Sequence, residues 1–285
     1  MVRAVPRRVT PNQITLCGHV CIWAAGAVAL MASAPGSSVL AILAAGYTVF
    51  NLADIVDGMY ARHSGQTSRL GELLDHGLDP FGTALVPLTY GIVMREPAWL
   101  VLSSTAVVAY LQFLTFLHGY RVGYVVPRRG ARRSDVADAP RAVRRLGAGL
   151  VAIAFIAGAL FALPAMRGLL RRPADLAPLA LLLALILAWH AFGALDVRVT
   201  GVLLLFTSAY EMMLVTSSRL RRLTLALWDV PFVAALVAAA GLSMTLHAGA
   251  GVQNSLAGAL SVYALARSAA FFFRTVAAVY FAAGV

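Results

Sequence analysis

Four aspartates set the chemistry open to this chain. They stand in the pattern Asp54-x2-Asp57-Gly58-x2-Ala61-Arg62-x8-Gly71-x3-Asp75-x3-Asp79. A carboxylate inside a membrane is costly and marks a functional site by default. On a helix, Asp54, Asp57, Gly58, Ala61 and Arg62 fall on one broad face. Gly71, Asp75 and Asp79, each four residues apart, form a stripe on a second helix. The polar stretch 63–68 between them predicts a tight turn, so the two acidic faces can meet in an antiparallel hairpin. Carboxylates gathered in this way repel one another unless they are compensated, and hard divalent cations are the natural compensation. An all-oxygen ligand set from Asp54, Asp57, Asp75 and Asp79 points to Mg2+, Mn2+ or Ca2+ and away from zinc. Two such ions, roughly 3.5–4 Å apart, could clamp a pyrophosphate. Gly58, Ala61 and Gly71 add no bulk to these faces and leave room for a nucleotide against the backbone. Arg62 is placed to hold a phosphate.

The elements that must position these residues are membrane helices. The 285-residue chain is 60% hydrophobic and 12% charged, with mean hydropathy +0.81. Several apolar runs reach the roughly 20 residues that cross a bilayer. The expected fold is an all-α, polytopic helix bundle of eight to ten spans, with the acidic pattern across the second and third helices. No polar stretch is long enough for a separate soluble domain. The chain therefore reads as one membrane domain over 1–285: catalytic helices over 10–120, a basic loop over 121–145 and further helices over 146–285. Thr10-Pro11-Asn12-Gln13 is a helix start with Thr as N-cap, Pro at the first position and Gln at the third. Helices are expected to about 33, over 38–62, over 70–93 with bends at Pro80 and Pro87, over 99–118 and over 146–165. Later runs cover 176–195, 200–215, 223–246 and 256–282. The first apolar run is too long for a signal core and reads as a retained membrane helix.

The net charge is +11 and every Lys or Arg position is Arg. These arginines sit mostly between apolar runs, so lipid headgroups and topology explain them better than a nucleic-acid partner does. The segment 121–145 holds eight arginines. The positive-inside rule puts it, the N-terminus and the 63–68 turn in the cytoplasm. The site then faces the cytoplasm, and a bacterial inner membrane is the expected location. Simple alternation of the later runs, however, puts Arg219, Arg221 and Arg222, and also Arg167, Arg171 and Arg172, on the far side.

Residue by residue, the acidic pattern resembles the signature of the CDP-alcohol phosphotransferase superfamily. The resemblance implies a membrane enzyme in which a hydroxyl attacks the phosphorus distal to cytidine of a CDP-linked donor, and CMP leaves. It implies metal binding by Asp54, Asp57 and Asp75, with Asp79 a ligand or the general base. It puts Gly58, Ala61 and Arg62 near the nucleotide. Pro11-Asn12 followed by Thr15 looks like the segment in which the Asn approaches the nucleotide. Asp75-His76-Gly77 is similar to the choline/ethanolamine phosphotransferase branch, whose members use a small CDP-linked headgroup donor and a diacylglycerol acceptor. His76 is then a second candidate base, after Asp79, or an orienting group. The resemblance also implies a homodimer. The chain is shorter than that branch, and no acidic residue stands where the branch carries one soon after the fourth helix.

Two other readings stay open at this point: a CDP-diacylglycerol donor with a small polar or phosphorylated alcohol, and a transporter that uses intramembrane carboxylates. Asp229 and Glu211 are expected to pair with Arg267 and Arg274. His19, His118, His190 and His247 read as packing or interfacial residues. Cys17 and Cys21 read as small packing residues.

Overall fold

The computed structural model describes residues 6, 8–32, 36–122, 173–221 and 229–281. Among these the regular structure is helical throughout: α1 (Pro11–Met31), α2 (Ser37–Ser64), α3 (Arg69–Thr83), α4 (Leu85–Met94), α5 (Ala98–Val122), α6 (Pro173–Phe192), α7 (Val197–Leu220), α8 (Val230–Thr245) and α9 (Ala250–Phe281). The basic segment 121–145 (beyond the last turn of α5) and the expected helix over 146–165 lie outside the described residues. Six of the described helices are long and apolar enough to cross a membrane; α8 is apolar but shorter. The chain is a polytopic helical membrane protein.

Local chemistry sets the helix ends. The Thr10 hydroxyl accepts from the Gln13 amide, and the Gln13 side chain accepts from the Thr10 amide at 2.8 Å. This reciprocal cap satisfies two donors that the first turn leaves orphaned. α2 ends at Gly65, whose φ of 70° suits a residue without Cβ. Ser68 then caps α3 by accepting from the Gly71 amide at 3.0 Å.

The expected third helix is two helices. Pro87 has no N–H to give to the carbonyl four residues back, at Thr83, and its ring crowds that group. The ladder breaks there, with Ala84 between α3 and α4. Pro80 is accommodated inside α3.

α1 and α2 lie in close contact. A Cβ on Gly18 would sit 2.6 Å from the Ala53 Cβ, and one on Gly46 would sit 2.6 Å from the Ala25 Cβ. Small residues at the seam let the backbones approach, which is how helices associate where apolar lipid offers no hydrophobic drive. α7 is the central post: 83% of its apolar window is buried, against 17% for α2. It packs on α3, α5, α6 and α9. Leu102, Phe113, Ile186, Trp189, Leu203 and Phe232 form the largest buried cluster around it.

The two ends of the bundle are identified by cross-links. Arg198 donates to the Ala32 carbonyl at 3.0 Å, and the Asp196 amide donates to Asn254 at 2.9 Å. These tie the start of α7 to the end of α1 and the start of α9. At the other end, Arg219 pairs with Glu72 in the first turn of α3. The Arg219–Arg221 terminus of α7 therefore lies at the end that carries the α2–α3 turn, which corrects the alternation count. Arg222, Arg167, Arg171 and Arg172 lie outside the described residues.

Candidate active site

The α2–α3 hairpin brings the four aspartates together. Asp54 and Asp57 come from the last three turns of α2. Asp75 and Asp79 are on the facing stripe of α3. The Asp54 and Asp75 carboxyl groups approach within hydrogen-bonding reach, and each interacts electrostatically with Asp57 and Asp79. Ligating atoms of Asp75, His76 and Asp79 lie within 4.8 Å of one another. His76 Nδ1 is 3.5 Å from Asp75 Oδ2, and its ring meets Phe116 of α5 edge to face.

α1 closes the third side. Asp57 is only 3% exposed and accepts from the Thr15 hydroxyl. One turn further on, His19 is 2% exposed. Its Nδ1 lies 2.8 Å from the Thr15 carbonyl, and its Nε2 lies 3.4 Å from Asp79 Oδ1. Sequence alone reads His19 as a packing or interfacial residue, whereas the structure sets it against Asp79. The signal available was the spacing of Asn12, Thr15 and His19, which put all three on one stripe of α1.

The residues expected at the nucleotide border the same end. Asn12 Oδ1 is 3.1 Å from where a Gly71 Cβ would stand, so any side chain at 71 would push on it. The exposed Arg62 folds its guanidinium back over Gly58, with Nη1 3.3 Å from the position of a Cβ there. Ala61 is half-buried, and its carbonyl accepts from the Gln66 amide at 2.9 Å in the turn. Asn12 thus neighbours Gly71, and Arg62 neighbours Gly58, the residue after Asp57.

Among the described residues, no arginine pairs with any of the four aspartates. Asp79 Oδ1 is buried without a hydrogen-bond partner. Carboxylates left uncompensated at low dielectric are costly. A donor set of oxygens and imidazole, with an orphaned buried oxygen, fits a divalent cation.

Next to the cluster is an apolar cavity of about 460 Å³. Trp23, Leu78, Phe81, Phe206, Met213 and Phe272 are among its lining residues. Leu78 immediately precedes Asp79, so the cavity and the acids share one turn of α3.

The expected pairing in the back half is observed in part. Asp229 accepts from Arg267 at 2.8 Å and from the Tyr210 hydroxyl. Glu211 is buried with one carboxylate oxygen unpartnered, and Arg274 is exposed.

A membrane helix bundle with an acidic hairpin beside an apolar cavity is the class of integral membrane protein that the fold and site define. The signature of CDP-alcohol phosphatidyltransferase matches residues 8–207, far beyond the hairpin. The chain belongs to the CDP-alcohol phosphatidyltransferase family. Among similar proteins, cholinephosphotransferase 1 of Gallus gallus is 37% identical over 109 residues, covering 35% of this chain and 32% of that protein. Choline/ethanolaminephosphotransferase 2 of Arabidopsis thaliana is 35% identical over 95 residues, covering 32% and 24%. The CDP-diacylglycerol–serine O-phosphatidyltransferase of Encephalitozoon cuniculi is 37% identical over 84 residues, covering 28% and 22%. The matched stretch thus spans about a third or less of each relative's length.

Proposed function

We propose that this protein transfers a substituted phosphate from a CDP-linked donor to an alcohol and releases CMP, as a step of phospholipid synthesis. The single observation that carries the reading is the convergence of Asp54, Asp57, Asp75 and Asp79 from two helices, with Asn12 against Gly71 and Arg62 against Gly58 beside them in the sequence pattern. In this reading the four aspartates hold Mg2+ or Mn2+, two ions in all. The bound cations supply charge neutralisation for the diphosphate and for the departing CMP. Arg62 holds a phosphate, and Asn12 with the open backbone at Gly58, Ala61 and Gly71 receives the nucleotide. The acceptor oxygen bonds to the distal phosphorus, the bond from that phosphorus to the CMP oxygen breaks, and the hydroxyl proton passes to a base.

His76 is the base in this proposal, ahead of Asp79. The Asp79 side chain is turned towards His19, whereas His76 is a third exposed at the mouth of the cluster beside Asp75. A base within reach of the hydroxyl is worth roughly 10²–10⁴ in rate.

The donor proposed is a CDP-choline or CDP-ethanolamine type, with diacylglycerol as acceptor. Support comes from Asp75-His76-Gly77, from the choline and choline/ethanolamine relatives, and from the apolar cavity beside Asp79, which suits acyl chains. The similarity to the serine phosphatidyltransferase favours a second reading, in which CDP-diacylglycerol is the donor and a small alcohol the acceptor. The arginines at the site end of α7 support a cytoplasm-facing site. Purified protein in nanodiscs, supplied with each donor and acceptor pair, tests the assignment. CMP release from CDP-choline or CDP-ethanolamine only when diacylglycerol is present is the expected result. Release only from CDP-diacylglycerol selects the second reading. Absence of CMP from every pair, with solute flux in liposomes, selects transport instead.

A further inference from the structure

His19 and Asp79 present an unsolved contact. His19 Nδ1 lies 2.8 Å from the Thr15 carbonyl, which can only accept. Nδ1 therefore carries a proton, and Nε2 is the nitrogen left to face the acidic cluster. Nε2 lies 3.4 Å from Asp79 Oδ1, and both atoms are buried without a hydrogen-bond partner. A ring nitrogen and a carboxylate oxygen buried this close together, with neither hydrogen-bonded, are spaced to share one cation. The ring has no freedom to turn aside. Its Nδ1 is tied to the backbone, and its faces and edges meet Trp23 and Phe50 at centroid distances of 5.5 and 5.1 Å. A backbone carbonyl on one nitrogen, fixing the tautomer and freeing the other nitrogen, is the arrangement that metal-binding histidines use.

We propose that His19 Nε2 and Asp79 Oδ1 are joint ligands of one divalent cation, so that α1 supplies an imidazole to the metal set of the acidic hairpin. The inference rests on the proposed reading of the aspartates as metal ligands. It adds a ligand that lies outside the acidic pattern. It also changes the expected metal preference. An imidazole suits borderline transition ions, whereas carboxylates alone accept Mg2+ as readily as Mn2+. The nitrogen donor therefore tilts the site towards Mn2+.

Mn2+ is the probe, bound to purified full-length protein in detergent and read by electron spin-echo envelope modulation. Wild-type protein is expected to show modulation from a directly bound nitrogen. The signal should persist in His76→Phe and vanish in His19→Phe, a ring replacement that keeps the contacts to Trp23 and Phe50. The His19→Phe protein should also lose at least about tenfold in Mn2+ affinity, with a smaller loss for Mg2+. If His19→Phe does not fold, wild type and His76→Phe decide the matter, because a nitrogen signal in both leaves His19 as the donor. Bound Mn2+ without nitrogen modulation in wild type, or modulation lost in His76→Phe, overturns the proposal and leaves the aspartate site standing. No Mn2+ binding at all overturns both.

Discussion

Asp57 and Asp79 differ from Asp54 and Asp75 in what holds them. Each faces a residue of α1: Asp57 accepts from the Thr15 hydroxyl, and Asp79 lies against His19 without a hydrogen bond at its Oδ1. Asp54 and Asp75 lean on each other. Asp57 is therefore oriented by a protein donor before any ligand arrives, which is what positioning catalysis requires. At this scale the base assignment can be separated from the metal assignment. His76→Gln is expected to lower the rate of CMP release by about 10²–10⁴ while Mn2+ still binds, measured by calorimetry on the same preparation. Asp79→Asn should lose Mn2+ affinity and turnover together. Equal loss of metal binding in both variants would remove His76 from the role of base. The aspartates were legible in the sequence because their spacing is local to two adjacent helices. His19 was not, because its contact with Asp79 joins residues on helices separated by α2, and a single sequence carries no register between such helices.

The elements repeat that contrast. The reciprocal Thr10 and Gln13 cap is encoded within four residues, and it forms as read. The start of α8 was equally local, with Asp229 as cap and Pro231 in the first turn. Hydropathy alone opens the run at 223, and residues 223–228 lie outside the described residues. The α3–α4 break shows a different loss. A proline marks where a helix is disturbed, but the missing bond belongs to the carbonyl four residues earlier, so the break lies ahead of Pro87. The closeness of α1 to α2 predicts a sharp penalty. Gly46→Val would drive its side chain into Ala25 Cβ and towards the Cys21 carbonyl, 3.1 Å from the added Cβ. Overpacking of this kind costs roughly 1–3 kcal/mol, and the α1 partners of Asp57 and Asp79 would shift with it. Thermal denaturation in detergent should show the lowered midpoint. An unchanged midpoint would mean that the seam is looser than described.

For the whole molecule, the acidic hairpin leans on α7, and α7 is held in the back half by α5, α6 and α9. Arg219 links α7 to the start of α3 through Glu72, and Met213 fills the space against Gly77, two residues from Asp75. The rear helices thus act as a buttress for the site as well as a wall for the apolar cavity. Their tie is the Tyr210, Asp229 and Arg267 cluster, which joins α7, the cap of α8 and α9. Arg267 also lies over the Phe271 ring at 5.5 Å. Arg267→Leu leaves the buried Asp229 short of its cationic partner, at a cost of roughly 1–3 kcal/mol. The protein should melt earlier yet keep its CMP release at low temperature. A variant that melts normally but loses turnover would instead place Arg267 in substrate binding. The overall architecture was legible from apolar runs and their lengths. Which end each later helix starts from was not, since alternation requires every crossing to be counted correctly, and one error inverts all that follows.

The central claim is that Asp54, Asp57, Asp75 and Asp79 hold divalent cations that make a CDP-linked donor reactive. The most direct measurement is CMP release by purified protein with and without chelation, in wild type and in Asp57→Ala. The account predicts that turnover disappears with the chelator, returns when Mg2+ or Mn2+ is restored, and is absent from a folded Asp57→Ala protein at any metal concentration. CMP release that survives both chelation and Asp57→Ala would contradict it.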